Sequence, residues 1–443
     1  AQVETAIPAF IGYTQKAKKE NDDLTLKPTR ITSLVEYAQY FGGPEDETDI
    51  EVVLTKDGAG KIVVETRFEA GKEPSLHIMY YALQMFFANG GGPCYIVSVG
   101  ATTAATIDKA KLKAGLDALK PEDEPTLILF PEAIRGLGDD IYAALVSDAL
   151  KQCKELKDRF TIIDVKVDKT KTVAENAKTF RDNVAGTPEE LKYGAAYYPN
   201  IKTTFSYAFK EADVKITDNT GGALPGTLDA VAPVNNPVYN QIKAKLDAFF
   251  LTLPPGSSVA GIYASVDRDR GVWKAPANVP VSNVVGPDVK VTDLDQDGLN
   301  VDTTAGKSIN AIRAFTGKGT LVWGARTLTG NDNEWRYVSV RRFFNMVEES
   351  VKKATYQFVF EPNDANTWVK VRAMVENYLT VLWRQGALAG AKPADAFFVK
   401  VGLNVTMTAL DILEGYMHVE IGMAAVRPAE FIVLKFSHKM QES

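Results

Sequence analysis

Short apolar runs alternate with longer amphipathic stretches in the first half of the chain. The runs with the length and composition of buried strands are residues 9–13, 94–99, 127–130 and 160–165. The stretches with helical spacing are residues 33–41, 76–87 and 140–156. Because a strand, a helix and another strand succeed one another over residues 127–165, the pattern favours parallel pairing and predicts an α/β domain.

Glycine-rich and polar segments divide this pattern. Residues 50–67 predict a β-hairpin around Asp57-Gly58-Ala59-Gly60, and Ser33 is suited to cap the helix that Gly42 and Gly43 end. Residues 214–232 are rich in Gly, Thr and Asp, which predicts an exposed loop or hairpin. Residues 286–306 predict a polar connector, and we expect the main domain boundary between it and residue 335.

The last hundred residues have a clearer pattern. Residues 341–356 and 365–385 each place apolar side chains on one helical face, so both predicted helices need a surface to pack against. Three apolar runs with strand character follow, at residues 396–401, 417–426 and 431–436. The last run is long enough for a complete strand, in a sheet of this chain or of a neighbour. The predicted fold class is therefore mixed α/β, with a separate C-terminal domain of two helices and a sheet.

Composition narrows the functional classes. The chain has 443 residues, a formal net charge of −6 and a pI near 5.4, which argues against nucleic acid as the main partner. Cys94 and Cys153 lack metal-ligand spacing and are expected to be buried thiols of a protein that folds in the cytosol. The start of the sequence lacks the charged-then-apolar pattern of a signal peptide, and no apolar run reaches the length that spans a membrane, so neither is expected.

Two motifs resemble ligand sites but lack a required residue. Asp293, Asp295 and Asp297 begin like a calcium loop, yet Thr304 stands where a bidentate Glu belongs. Gly306-Lys307-Ser308 resembles the end of a phosphate-binding loop, but Val301 occupies the position of its first glycine. A solvated acidic turn is the simpler interpretation of the first motif, and a calcium-binding structural or adhesive module remains the alternative. No catalytic residue and no cofactor is predicted.

Several segments resemble the contractile tail sheath family. They include VWGARTL at residues 322–328, EWRYVSVRRFFNMVEESV at 334–351 and LWRQGALAGAKPADAFFVKV at 382–401. FFANGGGPCYIVSVG at residues 86–100 and VEIGMAAVRPAEFIVLKF at 419–436 match in the same order along the chain. Family members usually begin with an extended arm upstream of the segment that corresponds to residues 9–14.

The resemblance implies a structural subunit, not an enzyme. It implies a six-fold helical homo-oligomer of stacked rings around an inner tube, with baseplate and terminal cap proteins as further partners and no membrane insertion. Contraction would drive the tube through a target envelope. The resemblance also implies assembly in the cytoplasm and release as part of a phage-like particle.

The resemblance further assigns parts of the chain. Residues 1–330 would form the outer and middle domain, with variable β insertions near 44–67 and 214–237, and residues 331–443 the inner domain. Strands exchanged between neighbours would complete the C-terminal sheet. The exchanged residues would be Phe431, Ile432, Val433, Leu434, Lys435 and Phe436, and the candidate contacts with the inner tube are Lys352, Lys353, Lys370 and Glu376.

Overall fold

The computed structural model describes residues 2–435, which form two compact units. Of the described residues, the larger unit contains 2–272 and 276–350, and the smaller one contains 273–275 and 351–435. Among the described residues, no helix combines the length and the apolar character that crossing a membrane requires.

The larger unit mixes strands and helices throughout. Its strands are β1 (Pro8–Thr14), β2 (Lys18–Lys19), β3 (Asp22–Asp23), β4 (Thr29–Ile31), β5 (Ile50–Lys56), β6 (Ile62–Phe68), β7 (Cys94–Ala101), β8 (Leu127–Leu129), β9 (Phe160–Asp164), β10 (Gly194–Tyr198), β11 (Ile201–Ser206), β12 (Lys215–Asp218), β13 (Phe250–Leu253), β14 (Val279–Pro280), β15 (Val284–Pro287), β16 (Ile309–Phe315) and β17 (Gly319–Trp323). Its helices are α1 (Leu34–Phe41), α2 (Met79–Ala88), α3 (Lys109–Leu119), α4 (Ala133–Gly136), α5 (Asp139–Leu156), α6 (Val173–Asn183), α7 (Pro188–Leu191), α8 (Leu228–Val231), α9 (Asn236–Asp247), α10 (Gly256–Arg270), α11 (Asp293–Asn300) and the first part of α12 (Val338–Thr355).

A nine-stranded sheet forms the centre of the larger unit, in the order β14-β17-β16-β10-β9-β8-β1-β7-β4. The strands from β16 to β7 in that order run parallel, and the remaining strands join antiparallel at the two edges. Successive side chains of β1 enter opposite cores: Phe10 packs on one face of the sheet, and Ala9 and Ile11 pack on the other. Helices cover both faces, and the central strands β1, β7, β8 and β10 are accordingly largely apolar.

These elements confirm much of the sequence pattern. The hairpin β5–β6, the helix α1 capped by Ser33 and the parallel pair β8–β9 all occur as predicted. Cys94 and Cys153 are free and buried, also as predicted. The mixed α/β fold class is confirmed.

The predictions for two polar segments have different outcomes. Residues 214–232, predicted as an exposed loop or hairpin, include an antiparallel bridge between Lys215 and Thr227, and they also contain β12, which pairs in parallel with β5, and α8. Val214, Leu228 and Val231 are buried in a third apolar cluster shared with β5. Residues 286–306, predicted as a connector, contain α11, which begins at a capping box formed by Thr292 and Asp295. The connector prediction is therefore wrong, because the polar composition of residues 286–306 concealed a local helix start, and the prediction for residues 214–232 missed the burial that pairing with a remote strand produces.

The smaller unit contains the end of α12, α13 (Ala365–Arg384), α14 (Pro393–Ala396), β18 (Phe397–Lys400), α15 (Ala409–Leu413) and β19 (Glu420–Met423). Helix α13 begins at Asp364, whose carboxylate accepts a hydrogen bond from the Thr367 N–H at 3.1 Å. Its buried stripe is formed by Val371, Val375, Leu379 and Leu382, which confirms the single apolar face predicted for residues 365–385.

Candidate assembly site

The first place to seek a ligand site in a parallel sheet is the point where strand order reverses, because a crevice opens there at the carboxyl ends of the strands. Here β1 lies between β7 and β8, so the reversal occurs at the end of β1. The carboxylate of Glu132, which is 0% exposed, lies at this point. It accepts hydrogen bonds from the backbone N–H groups of Tyr13 at 2.5 Å and Ile78 at 3.2 Å. The protein's own carboxylate therefore satisfies the backbone donors that a ligand would use.

The surroundings of Glu132 leave little space. A Cβ atom at Gly12 would lie 2.8 Å from Glu132 Oε1 and 2.6 Å from Met79 Cε. The backbone of β1 can therefore approach Glu132 and Met79 this closely only because residue 12 has no side chain. His77 Nε2 lies 2.7 Å from the Ala104 carbonyl oxygen, and His77 Nδ1 lies 3.5 Å from Glu132 Oε2. Burial by itself lowers the pKa of His77, but the bonds to Glu132 and Ala104 raise it above its ordinary value. These contacts fill the crevice at the end of β1, so the cluster of Glu132 and His77 has a structural role.

A second buried carboxylate lies where β9 ends. Asp164 Oδ1 accepts a hydrogen bond of 2.7 Å from the backbone N–H of Gly256, the first residue of α10. Burial raises the pKa of Asp164 to about 7, against the opposing effect of that hydrogen bond. The folded state therefore holds this proton more tightly than the unfolded chain does.

Replacement of Asp164 by Asn should reduce the pH dependence of stability. Because the pKa of Asp164 is raised in the folded state, its contribution to stability is fully present below its unfolded pKa and is lost as the pH rises through about 7. We expect the free energy of unfolding of Asp164→Asn, relative to the parent chain, to rise by about 2–3 kcal/mol between about pH 5 and pH 8. Urea unfolding at the two pH values measures this difference.

Asp168→Asn is the matched control for that measurement. Asp168 is only partly buried, and hydrogen bonds donated by Thr170 lower its pKa, so it stays ionised throughout this pH interval. Its replacement should leave the pH slope unchanged. Equal slopes for the parent chain and Asp164→Asn would contradict the assignment of this titration to Asp164.

The two incomplete ligand motifs have structural roles. Asp293 and Asp295 lie on α11, where residues two apart point in opposite directions, so the side chains cannot converge as in a calcium loop. Asp295 accepts from the Thr292 N–H at 2.9 Å, and Asp293 pairs with Arg313 at 2.9 Å. The calcium-binding alternative is therefore not favoured.

Lys307 is likewise engaged within the protein. Its Nζ donates to the carbonyl oxygens of Arg181, at 2.6 Å, and of Val184, the residue that ends α6. A cation at this helix end stabilises the unpaired carbonyl groups. Strand β16 follows Lys307 directly, whereas a phosphate-binding loop requires a helix there.

Helix α12 is anchored in the larger unit by buried arginines. The Arg341 guanidinium carbon lies 4.1 Å from the ring centre of Trp335 and 4.7 Å from that of Tyr193. Its Nε donates to Asn345 Oδ1 at 3.0 Å, and the side chain is 2% exposed. Such stacking requires the planar guanidinium group. The beginning of α12 is therefore held by ring contacts that a Lys side chain would not reproduce.

Within the part of the chain that the structure describes, the sheet of the smaller unit has open strand edges. Strands β18 and β19 form an antiparallel pair in which Phe397 lies opposite Met423, and within residues 2–435 their sheet has two strands. Residues 431–435 belong to no strand of this part of the chain. Phe431, Ile432, Val433 and Leu434 are between 68% and 84% exposed. An exposed apolar segment and an open sheet edge in one chain are complementary features of strand addition.

Comparison with known proteins identifies the group to which the chain belongs. The phage tail sheath C-terminal domain family matches residues 330–439. The chain is 32% identical to the anti-feeding prophage helical sheath in its contracted state, covering 99% of this chain and 95% of that one with a TM-score of 0.67. The chain belongs to the contractile tail sheath family.

Two further sheath proteins are similar. The PVC sheath complex of an extracellular contractile injection system, in its contracted state, is 31% identical over 99% of this chain and 93% of that one, with a TM-score of 0.68. The tail sheath protein of Vibrio phage KVP40 is 27% identical over 128 residues, which are 29% of this chain and 19% of the phage protein. The chain thus spans about a fifth of the length of this curated relative.

The candidate tube contacts of this sheath-family chain lie on two helices. Lys352 and Lys353 are on α12, and Lys370 and Glu376 are on α13. Lys352 and Lys370 are exposed, whereas Glu376 accepts a hydrogen bond of 2.9 Å from Arg372 on the same helix. Their contact with a tube stays a prediction. Of the six residues assigned to strand exchange, Phe436 lies outside the described residues.

Sequence reasoning missed a second exposed apolar region of the sheath-family chain. Between β18 and β19, the exposed large apolar side chains are those of Leu403, Val405, Leu410, Leu413 and Tyr416. Leu410 and Leu413 lie three residues apart on α15, which is the spacing of neighbours on a helix surface. This spacing is the signal from which the region could have been predicted, but a helix of 5 residues is too short to show a clear periodicity in the sequence.

Proposed function

We propose that the chain is a sheath subunit that polymerises into stacked six-fold rings around an inner tube and contracts to drive the tube through a target envelope. The observation that carries this proposal is the similarity over nearly the whole chain to the anti-feeding prophage and PVC sheaths. In this proposal the protein is structural and catalyses no reaction. The cluster at Glu132 supports this view, because the crevice of its parallel sheet is occupied by internal hydrogen bonds.

Strand exchange would link the subunits. In this mechanism, residues Phe431 to Phe436 of one subunit add a strand to the sheet of a neighbour. The backbone hydrogen bonds would provide affinity, and burial of each large apolar side chain would contribute about 1.5–3 kcal/mol before the entropic cost of association. The exposure of Phe431 to Leu434 and the two-stranded sheet β18–β19 support this step.

Contraction would then use rigid bodies joined by flexible connections. The extended sheath would be a kinetically trapped state, and its subunits would move as units into a more stable arrangement without nucleotide hydrolysis. Residues 331–443 would lie innermost and contact the tube through Lys352, Lys353, Lys370 and Glu376, and residues 1–330 would lie outside. Baseplate and terminal cap proteins would close the ends of a particle assembled in the cytoplasm and then released.

Electron microscopy of the purified chain, alone and with the products of its neighbouring genes, tests the proposal. We expect hollow helical tubes with six-fold cross-sections, because the family match predicts ring stacking. A monodisperse globular particle under all of these conditions would refute it.

A further inference from the structure

The N-terminal segment, residues 2–7, and helix α12 meet at one buried ion pair. Arg342 on α12 and Asp267 on α10 are joined by two charged hydrogen bonds, Nη1 to Oδ1 at 3.0 Å and Nη2 to Oδ2 at 2.5 Å. Their side chains are 3% and 6% exposed. Two parallel bonds between a guanidinium and a carboxylate fix both distance and orientation, so this pair holds α12 against α10 with little freedom.

Thr5 closes this pair into a ring of three residues. Its hydroxyl donates to Asp267 Oδ2 at 2.6 Å, and its carbonyl oxygen accepts from Arg342 Nη2 at 3.0 Å. Each of the three residues therefore contacts the other two, although they come from three distant parts of the chain. The Arg342 guanidinium carbon also lies 4.5 Å from the ring centre of Tyr263, which prevents the side chain from turning away.

A second contact aligns the N-terminal segment with α12. The Val3 N–H donates to Ser350 Oγ at 3.0 Å, about two helical turns beyond Arg342. The segment is thus attached to the helix at two separated points, while the Ile7 N–H, at its other end, donates to Thr126 at 2.9 Å. Two points of attachment define a direction, so the N-terminal segment cannot pivot on α12 as it could about one contact.

We propose that Arg342 is a positioning residue that joins the N-terminal segment to α12, so that both move as one rigid body. Helix α12 continues into the smaller unit, and a displacement of that helix would therefore be passed to residues 2–7. The attachment concerns a single subunit, and its use during contraction rests on the proposed function.

Hydrogen exchange of the purified full chain tests the attachment. We expect Arg342→Met to raise the exchange rate of the peptide containing residues 2–7 by about ten- to a hundredfold, because the segment loses one attachment and Asp267 loses its counter-ion. Arg341→Met is the matched control: it removes the neighbouring buried arginine of the same helix, whose ring partners are Tyr193 and Trp335. We expect about a twofold effect or less on that peptide from this control.

Thr5→Val provides a milder variant should Arg342→Met fail to fold. It removes the hydroxyl bond to Asp267 and leaves the ion pair between α10 and α12 in place. We expect faster exchange of residues 2–7 and unchanged exchange of α12. If folded Thr5→Val and Arg342→Met both exchange like the parent chain, Arg342 does not position the segment.

A distance measurement distinguishes coupled motion of the N-terminal segment and α12 from a mere change in the stability of the segment. Spin labels at Glu4→Cys and Glu348→Cys report the segment and α12, while the native Cys94 and Cys153 are buried away from the reagent. We expect one narrow distance distribution, identical in extended and contracted particles, which Arg342→Met broadens. A parent distance that differs between the two states overturns the coupling. If no particles form, the proposed function fails, and the same distribution in the single subunit still decides whether Arg342 joins the two elements.

Discussion

Deletion of residues 431–443 should leave a folded subunit that forms no sheath. Phe431 to Leu434 are largely exposed and residues 431–435 belong to no strand of the described chain, so their removal takes little from the core. The same residues would supply the added strand in the proposed exchange, and their loss should abolish assembly. Thermal unfolding followed by circular dichroism measures the first expectation, and electron microscopy measures the second.

Substitutions at Val433 can separate what the backbone hydrogen bond contributes to sheath assembly from what the side chain contributes. Val433→Pro removes one N–H donor and should prevent pairing within a sheet, whereas Val433→Thr keeps both the donor and the β-branched shape. We expect no tubes from the first variant and tubes from the second, with equal melting temperatures for the two monomers. Normal sheaths from the truncated chain would rule out the strand-exchange role of this segment.

The largest loss of stability is expected from Glu132→Ala. The substitution leaves the buried N–H groups of Tyr13 and Ile78 without their carboxylate acceptor and opens a cavity at the end of β1. Each orphaned donor costs about 1–3 kcal/mol, so the free energy of unfolding should fall by about 3–5 kcal/mol. Urea unfolding at constant pH measures this loss.

Glu175→Ala is the control for the change of Glu to Ala itself. Glu175 also accepts a backbone hydrogen bond, from the Thr172 N–H at 2.7 Å, but it lies on the surface in the capping box of α6. Its replacement should cost about 0.5–1 kcal/mol. A loss of similar size for Glu132→Ala would show that water replaces the buried carboxylate, contrary to the structural role assigned to it.

Local patterns in the sequence predicted elements whose burial follows from their own composition. The seven residues of β1 are buried on both faces, and the strand is recognisable as an apolar run without alternation. The stripe of α13 is recognisable from its helical spacing, and Ser33 from its capping chemistry. The resemblance to sheath proteins likewise lies in ordered segments of sequence, and the comparisons confirmed it.

Other features required the tertiary structure because their partners are remote in sequence. Residues 214–232 have the composition of a loop, yet pairing of β12 with β5 makes Val214 and Ile216 part of a core. Glu132 and His77 were not paired by any motif, since crossover connections bring them together at the end of β1.

The sequence by itself determined the mixed α/β class, the boundaries of its most regular helices and strands, and the likeness to sheath proteins. Each of these depends on side chains close together along the chain or on their order. The tertiary structure alone decided that the crevice of the sheet is filled and that Thr5, Asp267 and Arg342 form one anchor. Such contacts depend on how distant segments pack, and local spacing carries no information about that packing.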